Sequence, residues 1–386
     1  NHYNFQIIMD IFDLALAFTP RIGGRTAQHL IETLFSAENI FSTPYDELRQ
    51  KTKLNDAVAM SIVRREGLRA AEAEMRYCEK HNITPIALVD AEYPSLLRET
   101  NDPPYIIYVQ GDRSILTHNL VSVVGTRKMT SYGDRATEII IKQLSEKIHN
   151  LVIVSGLAFG IDGSAHRAAL SHDVPTVAIL PNSLPGVTPA AHSQLATSIL
   201  DSGGALVTEL HSTSHAAGKA YIARNRIIAG ISAATIVVES GVKGGAMSTA
   251  RIASSYDRTV AAIPGRIVDS VAMGCNKLIA ERSATILNSA DDLIRELKWE
   301  DRTIEKKRSG KLDNKAIIEG FSQRQLTILR QFNSSDPLSI SELELATGFS
   351  ATELGVALME LELNGALKAL SGARYLSLIS DGDLLS

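Results

Sequence analysis

The most evident chemistry in this sequence lies in a short turn of small and cationic residues. Residues 125–133 read GTRKMTSYG and stand between a predicted strand and a predicted helix. Such a turn leaves backbone N–H groups free at a helix N-terminus, and cationic side chains beside it suit phosphate oxygens. The sequence therefore predicts a phosphate-binding site formed by Gly125, Thr126, Arg127 and Lys128.

This turn matches neither of two common nucleotide-binding motifs. The dinucleotide motif G-x-G-x-x-G requires its second glycine where Arg127 stands, which disfavours a nicotinamide cofactor. Residues 244–249, GGAMST, lack the lysine of the ATP-binding P-loop, so the usual machinery of ATP hydrolysis is missing. We therefore expect no cofactor.

A second group of reactive residue types follows the next predicted strand. Residues 155–166 read SGLAFGIDGSAH, which places Asp162 and His166 four positions apart on one helical face. They form an acid–base pair or half of a metal site, or else they cap the helix and hydrogen-bond within the core. Because the sequence offers no third ligand at helical spacing, it favours the second interpretation and predicts no metal site.

Two further segments supply groups that bind anions. Residues 224–226, RNR, place two guanidinium groups at the start of an apolar helix, and positions 224 and 226 cannot share one helical face. One arginine can then face a groove while the other contacts the sheet or pairs with the Glu239 carboxylate. Alternatively, both arginines form structural salt bridges. Gly244 and Gly245 begin another strand–turn–helix unit, which predicts a second anion site. Several such turns at one edge of a sheet suit a polymer of phosphates.

The elements that must position these residues are repeated β–α units. Short β-branched runs alternate with amphipathic helical stretches between about residues 121 and 297. Their near-continuous apolarity predicts strands covered on both faces, in an α/β, extended Rossmann-like, doubly wound parallel sheet. The runs are Val121–Val124, Leu151–Val154, Thr176–Leu180, Ala205–Glu209, Thr235–Glu239 and Thr259–Ile263.

Helical modules are predicted on both sides of this sheet in the chain. Apolar spacing predicts an N-terminal helical domain of the SAM or helix-hairpin-helix type at residues 1–80, before the sheet domain at 81–298. Its turn Pro20–Thr26 either offers backbone amides to a phosphate or is a tight helix–helix turn. The polar stretch 299–315 predicts a linker, and three helices with a terminal hairpin predict a winged helix at 316–386.

Charge and cysteine content restrict the class of protein. The net charge of −4 argues against a protein that coats nucleic acid by bulk charge. Residues 316–386, however, hold four basic and nine acidic residues, which leaves +1 for the rest of the chain. We therefore expect the winged helix to contact protein or to modulate assembly instead of binding DNA. Two distant cysteines, with no membrane-length apolar run and no signal peptide, predict a cytoplasmic protein.

Together these segments resemble the DNA-processing protein A family, also called DprA or Smf. The order and spacing of the matching segments, above all the RNRIIAG run, are specific, and the resemblance covers nearly the whole chain. The segments are YPSLL at 93–97, PPY at 103–105, VSVVGTR at 121–127, SGLA at 155–158, GID at 160–162, RNRIIAG at 224–230, GGA at 244–246 and PG at 264–265.

The resemblance implies a DNA-binding protein that performs no reaction. Family members hold incoming single-stranded DNA during natural transformation, load the RecA recombinase onto it and dimerise through the Rossmann domain. By motif, the residues at 125–127 contact DNA phosphate, with those at 155, 156, 224 and 245 nearby. With the residues derived above, the expected DNA-binding set is Gly125, Thr126, Arg127, Lys128, Ser155, Gly156, Tyr221, Arg224, Asn225, Arg226, Gly244 and Gly245.

Two segments depart from the family pattern. Residues 187–192, VTPAAH, lack the tyrosine and the basic residue that many members carry, which puts DNA contact by this loop in question. The phenylalanine–proline pair that often precedes RNR is replaced by residues 221–223, YIA. Tyr221 is then either a base-stacking residue or part of the core.

An enzyme on a similar Rossmann core is the alternative function. The LOG-type nucleotide hydrolases use a PGGxGT turn followed by a glutamate, and residues 243–249, KGGAMST, resemble that turn in part. Lys243 replaces the proline, and residues 250–252, ARI, offer no glutamate, so the group for general acid–base catalysis is absent.

Overall fold

The computed structural model describes residues 10–214, 220–299, 321–332, 337–364, 366–370 and 374–377. These residues belong to two compact units that divide near residue 302. The predicted linker at 299–315 lies outside the described residues, apart from Trp299. Within the described ranges, no helix combines the length and apolarity that a membrane span requires.

The first unit begins, within the described residues, with a group of short helices. Side chains cap several of them: Asp10 accepts a hydrogen bond from the backbone N–H of Phe12, and Asn55 accepts one from Val58. The Pro20–Thr26 turn packs against the segment between the first two strands of the sheet, because Arg25 Nε donates to the Asn101 carbonyl at 3.2 Å. The helices are α1 (Ile11–Phe18), α2 (Gly24–Leu34), α3 (Ala37–Ser42), α4 (Tyr45–Thr52), α5 (Asp56–Val63) and α6 (Leu68–Lys80).

A twisted mixed sheet forms the centre of the first unit. Its strands are β1 (Ile83–Ala87), β2 (Ile106–Gly111), β3 (Asn119–Val124), β4 (Leu151–Ser155), β5 (Thr176–Ile179), β6 (Ala205–Thr208), β7 (Ala234–Val237), β8 (Thr259–Ala262) and β9 (Thr285–Ile286). Their order is β1-β2-β6-β5-β4-β3-β7-β8-β9, parallel from β6 to β9. The predicted doubly wound α/β sheet is confirmed, and all six predicted runs coincide with strands of its parallel part.

The antiparallel edge of the sheet was not predicted. Strand β1 pairs with β2, and β2 pairs with β6, both antiparallel. The sequence of the first of these strands, ITPIA, is interrupted by Pro85. A proline in a short run argues against a strand unless the strand lies at an edge, which is where β1 lies.

Helices cover both faces of the sheet. Along β3, Val121 and Val123 belong to one hydrophobic core while Leu120 and Val124 belong to the other, as expected for a strand buried on both faces. One core also contains residues of the N-terminal helices, and the other is closed by α8, α9 and α14. The helices that follow α6 are α7 (Ser95–Arg98), α8 (Ser131–Lys147), α9 (Ile161–Ser171), α10 (Ser193–Asp201), α11 (Ala220–Ile231), α12 (Gly245–Ser255), α13 (Met273–Ala280) and α14 (Ala290–Leu297).

The second unit has the elements of a winged helix. Helices α15 (Gln323–Leu329), α16 (Ile340–Thr347) and α17 (Ala351–Leu363) accompany a three-stranded sheet of β10 (Leu338–Ser339), β11 (Leu367–Leu370) and β12 (Arg374–Ser377), in the order β10-β12-β11. All three helices begin with a capping box of the form S-x-x-E/Q. The predicted winged helix is confirmed, while the turn of its hairpin, residues 371–373, lies outside the described residues.

A buried carboxyl joins the N-terminal helices to the sheet. Asp13 on α1 is 7% exposed, and the Tyr105 hydroxyl donates a 2.6 Å hydrogen bond to its Oδ1. Burial raises the pKa of Asp13 to about 6. The folded protein therefore binds this proton more tightly than the unfolded chain does, and stability falls as pH rises from about 4 to about 6.

We expect Asp13→Asn to be more stable than the wild type at pH 7.5, because the amide stays neutral and still accepts the Tyr105 hydroxyl. The gain should approach about 3 kcal/mol above pH 6 and vanish near pH 4. Urea unfolding at both pH values measures it. Asp46→Asn, at an exposed carboxylate in the first turn of α4, is the control. Equal gains at pH 4 and pH 7.5 would contradict the assignment.

Candidate functional site

A cavity of about 410 Å³ opens at the carboxyl ends of the central strands. The loops after β3, β4 and β7 meet there, as expected for ligand binding in a parallel sheet. Helices α11 and α12 complete the walls. Its lining includes Gly125, Thr126, Arg127, Ala158, Asp162, Tyr221, Ile222, Arg224, Asn225, Ser240, Gly241, Lys243, Gly244, Gly245 and Ala246.

The loop between β3 and α8 is held in place by the buried residue Glu239, which is 3% exposed. The backbone N–H of Thr126 donates to the Glu239 carbonyl at 2.7 Å. The N–H and hydroxyl of Thr130 donate to the Glu239 carboxylate at 2.9 and 2.5 Å. Glu239 thereby holds the loop that carries Arg127 in a defined position. The sequence suggests Glu239 only as a partner of an arginine, although an acid directly after an apolar strand is a usable signal for this role.

The loop between β4 and α9 packs closely on the same segment. Gly160 has a φ of +76°, which a residue with a side chain adopts at a cost. A Cβ there would also overlap the Thr126 carbonyl oxygen. The N–H of Ile161 donates to that same oxygen at 3.1 Å, so the two loops are held together.

Arg224 forms the floor of the cavity. Arg224 is 5% exposed. The nearest carboxylate to its guanidinium is that of Asp162, which lies 3.8 Å from Nη1. Neither Nε nor Nη1 has a hydrogen-bond acceptor among the described residues. Burial lowers the pKa of the Arg224 guanidinium, and the Asp162 charge opposes that shift. The guanidinium therefore stands desolvated and with unused donors at the base of an open cavity.

Gly156 explains how the guanidinium fits. A Cβ at this position would overlap Nη1 of Arg224, so only glycine leaves room for the side chain. Ser155, one residue earlier, is fully buried, and its hydroxyl donates to the Val123 carbonyl at 2.6 Å. Neither residue lines the cavity: Gly156 makes room for the Arg224 side chain, which does, and Ser155 ties β4 to β3 just ahead of the Gly125 loop.

The side chains of Asp162 and His166 are buried and make their hydrogen bonds inside the first unit. Burial raises the pKa of Asp162, while the charge of Arg224 and backbone hydrogen bonds from Ala158 and Gly156 oppose the rise. His166 Nδ1 lies 2.7 Å from the Thr176 hydroxyl, and burial lowers the His166 pKa to about 3. No cluster of three or more potential metal ligands occurs among the described residues. These contacts match the capping and core interpretation.

The N-terminus of α12 closes the opposite wall. Gly244 is its N-cap and gives no side-chain capping bond, so the N–H groups of the first turn keep their positive potential. Gly244 and Gly245 line the cavity with Asn225, and Lys243 adds an exposed cation that sequence analysis did not select.

An aromatic–cation contact borders the entrance. The Arg127 guanidinium lies over the Tyr221 ring, 5.3 Å from its centroid. Arg127 is exposed and Tyr221 is partly exposed, so both remain accessible from solvent. Lys128, the next residue, is also exposed but does not line the cavity.

Arg226 is not brought together with the other predicted site residues. Two positions along a helix turn the side chain by about 200°, so it points away from Arg224. Arg226 pairs with Glu209, and its Nη1 donates to the Asp102 carbonyl at 2.8 Å. Its partner is Glu209 and not Glu239, the acid that the sequence suggested.

Comparison with protein families gives two matches along the chain. Residues 84–298 match the model of DNA recombination-mediator protein A, and residues 322–373 match the DprA winged helix domain. The first match contains every residue of the cavity.

Individual relatives agree with this match. The DNA processing protein DprA of Streptococcus pneumoniae is 34% identical over 213 residues, which cover 55% of this chain and 74% of the relative. Protein Smf of Escherichia coli is 33% identical over 231 residues, 60% of this chain and 61% of the relative. The matched part of a putative DprA of Mycobacterium tuberculosis is 66% of its length, at 32% identity.

A solved structure supports the fold independently. The X-ray structure of DprA from Streptococcus pneumoniae aligns with a TM-score of 0.63 at 26% identity, and covers 75% of this chain and 98% of that chain. The two family matches, the relatives and this superposition lead to one conclusion. The chain belongs to the DNA recombination-mediator protein A family, whose members include the DprA and Smf proteins.

Proposed function

We propose that this protein binds single-stranded DNA by taking a backbone phosphate into the cavity. One observation carries the proposal: the Arg224 side chain lines the cavity and is 5% exposed, and its buried Nε and Nη1 have no acceptor among the described residues. Leaving a buried donor unpaired costs about 1–3 kcal/mol, and an anion in the cavity would recover that cost. The N-terminus of α12 and the exposed Lys243 add positive potential around the same point.

A single strand suits this geometry better than a duplex does. A phosphate must descend to a buried guanidinium, which requires a backbone flexible enough to enter a cavity. Tyr221 at the rim offers a ring for an unpaired base, and single strands are bound by such combinations of cationic grooves and aromatic side chains. Phosphate contacts without base-edge contacts predict little sequence preference.

The family to which the chain belongs supports a wider role. We propose that the protein protects incoming DNA during natural transformation, loads RecA onto it, acts as a homodimer through the Rossmann domain and works in the cytoplasm. The family description, a recombination mediator, and the relatives named for DNA processing support this role. We also propose that the protein binds without catalysis, since Asp162, the carboxylate that lines the cavity in the described structure, is held by two backbone N–H groups.

The winged helix is proposed to contact protein. Helix α17, whose sequence is ATELGVALMELEL, contains three glutamates and neither lysine nor arginine. Such a helix repels a phosphate backbone.

Arg127→Ala tests the cationic part of the proposal. We expect affinity for a labelled oligonucleotide to fall about 5- to 10-fold, because one charge-assisted phosphate contact is lost. The slope of log affinity against log salt should flatten by about 0.7. Fluorescence anisotropy over a salt series measures both. Arg69→Ala, at an exposed arginine of α6, is the control, and an unchanged slope in Arg127→Ala would remove this residue from the site.

A further inference from the structure

An exposed aromatic side chain stands at the rim of the cavity, on the side of β4. Phe159 is 49% exposed and directly follows Ala158, which lines the cavity. The next residue, Gly160, packs against the backbone of Arg127, where a Cβ would lie 2.8 Å from the Arg127 Cα. Phe159 is therefore fixed beside the loop that carries the cationic rim.

His192 supports the Phe159 ring from one side. The two ring centroids are 5.0 Å apart with an interplanar angle of 63°, an edge-to-face contact. His192 is itself anchored, because its Nδ1 donates to the Leu157 carbonyl at 2.8 Å. It belongs to the loop at 187–192 that lacks the tyrosine expected from the family. The contact with Phe159 leaves about half of the phenylalanine surface open to solvent.

A cation accompanies this aromatic pair. Arg167 is exposed on α9, and a Cβ at Gly163 would touch both its Nη1, at 3.2 Å, and the His192 Cε1, at 3.0 Å. The Arg167 guanidinium and the His192 ring thus border the same small residue. Within the described part of the chain, Arg167 forms no ion pair with a carboxylate. A ring and an unpaired guanidinium side by side match the two parts of a nucleotide, its base and its phosphate.

We propose that Phe159, supported by His192, is a stacking platform for the base of a nucleotide adjoining the phosphate in the cavity, with Arg167 facing that nucleotide's phosphate. This inference rests on the proposed single-strand binding and adds a second contact point for the same strand. Every base presents a π-face, so the platform accepts any nucleobase. It gives the loop at 187–192 a part in binding that its own sequence does not suggest.

The test compares Phe159→Ala with Phe159→Trp in binding a fluorescent oligothymidylate of about 20 nucleotides. We expect the alanine variant to bind about 5- to 10-fold more weakly and the tryptophan variant to bind as the wild type does. The salt slope should stay unchanged in both variants, because no charge is altered. Phe35→Ala removes a more exposed phenylalanine at the end of α2 and serves as the control.

An abasic strand separates stacking from backbone effects. A sugar–phosphate oligomer of equal length has no base to stack, so the wild type and Phe159→Ala should bind it equally. The platform is refuted if Phe159→Ala binds oligothymidylate like the wild type, or if it loses as much affinity for the abasic strand. In either case binding by the wild type keeps the proposed function intact. Failure of the wild type to bind any single strand would instead overturn the proposed function, and the platform with it.

Discussion

Arg224→Met should lower affinity for single-stranded DNA at least 100-fold. The guanidinium lies at the floor of the cavity with two buried donors that have no acceptor among the described residues, and hydrogen bonds to charged groups contribute about 1.5–3 kcal/mol each. Methionine keeps much of the length and volume of arginine but supplies neither donors nor charge. The salt slope should also flatten, because one phosphate contact disappears.

The same variant should leave the fold intact. Since Nε and Nη1 make no hydrogen bond with described residues, we expect the free energy of unfolding to change by less than about 2 kcal/mol. Anisotropy measures the affinity, and urea unfolding measures the stability. Arg69→Met, the identical change at an exposed arginine of α6, is the control. If Arg224→Met folded normally and bound DNA like the wild type, the cavity would not be the phosphate site.

Gly156→Ala should have the second-largest effect, although it removes no charge. The added Cβ occupies the position of the Arg224 Nη1, so the guanidinium must leave its place. Because the displaced group is the far end of a flexible side chain, the fold should tolerate the change while affinity falls about 10- to 100-fold. The double variant Gly156→Ala with Arg224→Met should bind no more weakly than Arg224→Met alone, because both changes act on one group.

Gly355→Ala provides the comparison for Gly156→Ala. Gly355 lies in α17, and a Cβ at that position would have no neighbour within 4 Å apart from the adjoining residues and the backbone of its own helix, so alanine there should leave binding unchanged. Losses that add in the double variant at 156 and 224 would show that the methyl group acts on something other than the guanidinium.

The sequence predicted best those site residues whose position depends only on the strand that precedes them. Parallel strands end at one edge of the sheet, so the turns at 125–127 and 244–245 had to lie near each other once the runs before them were strands. The winged helix was equally accessible, because three helical segments and a terminal hairpin are local signals.

Tertiary contacts decided what the sequence left open. Helical geometry separates Arg224 from Arg226, but only the packing of α11 shows that Arg224 faces the cavity and Arg226 faces Glu209. The need for glycine at 156 arises from a side chain that comes from a distant helix, and no local pattern reveals it. From the sequence, Lys243 was considered only as the residue that replaces the proline of a LOG-type turn, and its place on the cavity wall is a tertiary feature.

Competition between single- and double-stranded DNA tests the central claim most directly. The purified protein is bound to a labelled single-stranded oligonucleotide at about 0.15 M salt and displaced with the unlabelled strand or with its duplex. The structure predicts that the single strand competes at least about 10-fold better than the duplex, because only a flexible backbone can bring a phosphate to the buried Arg224. Equal competition by the duplex, or no binding of the labelled strand at all, would contradict it.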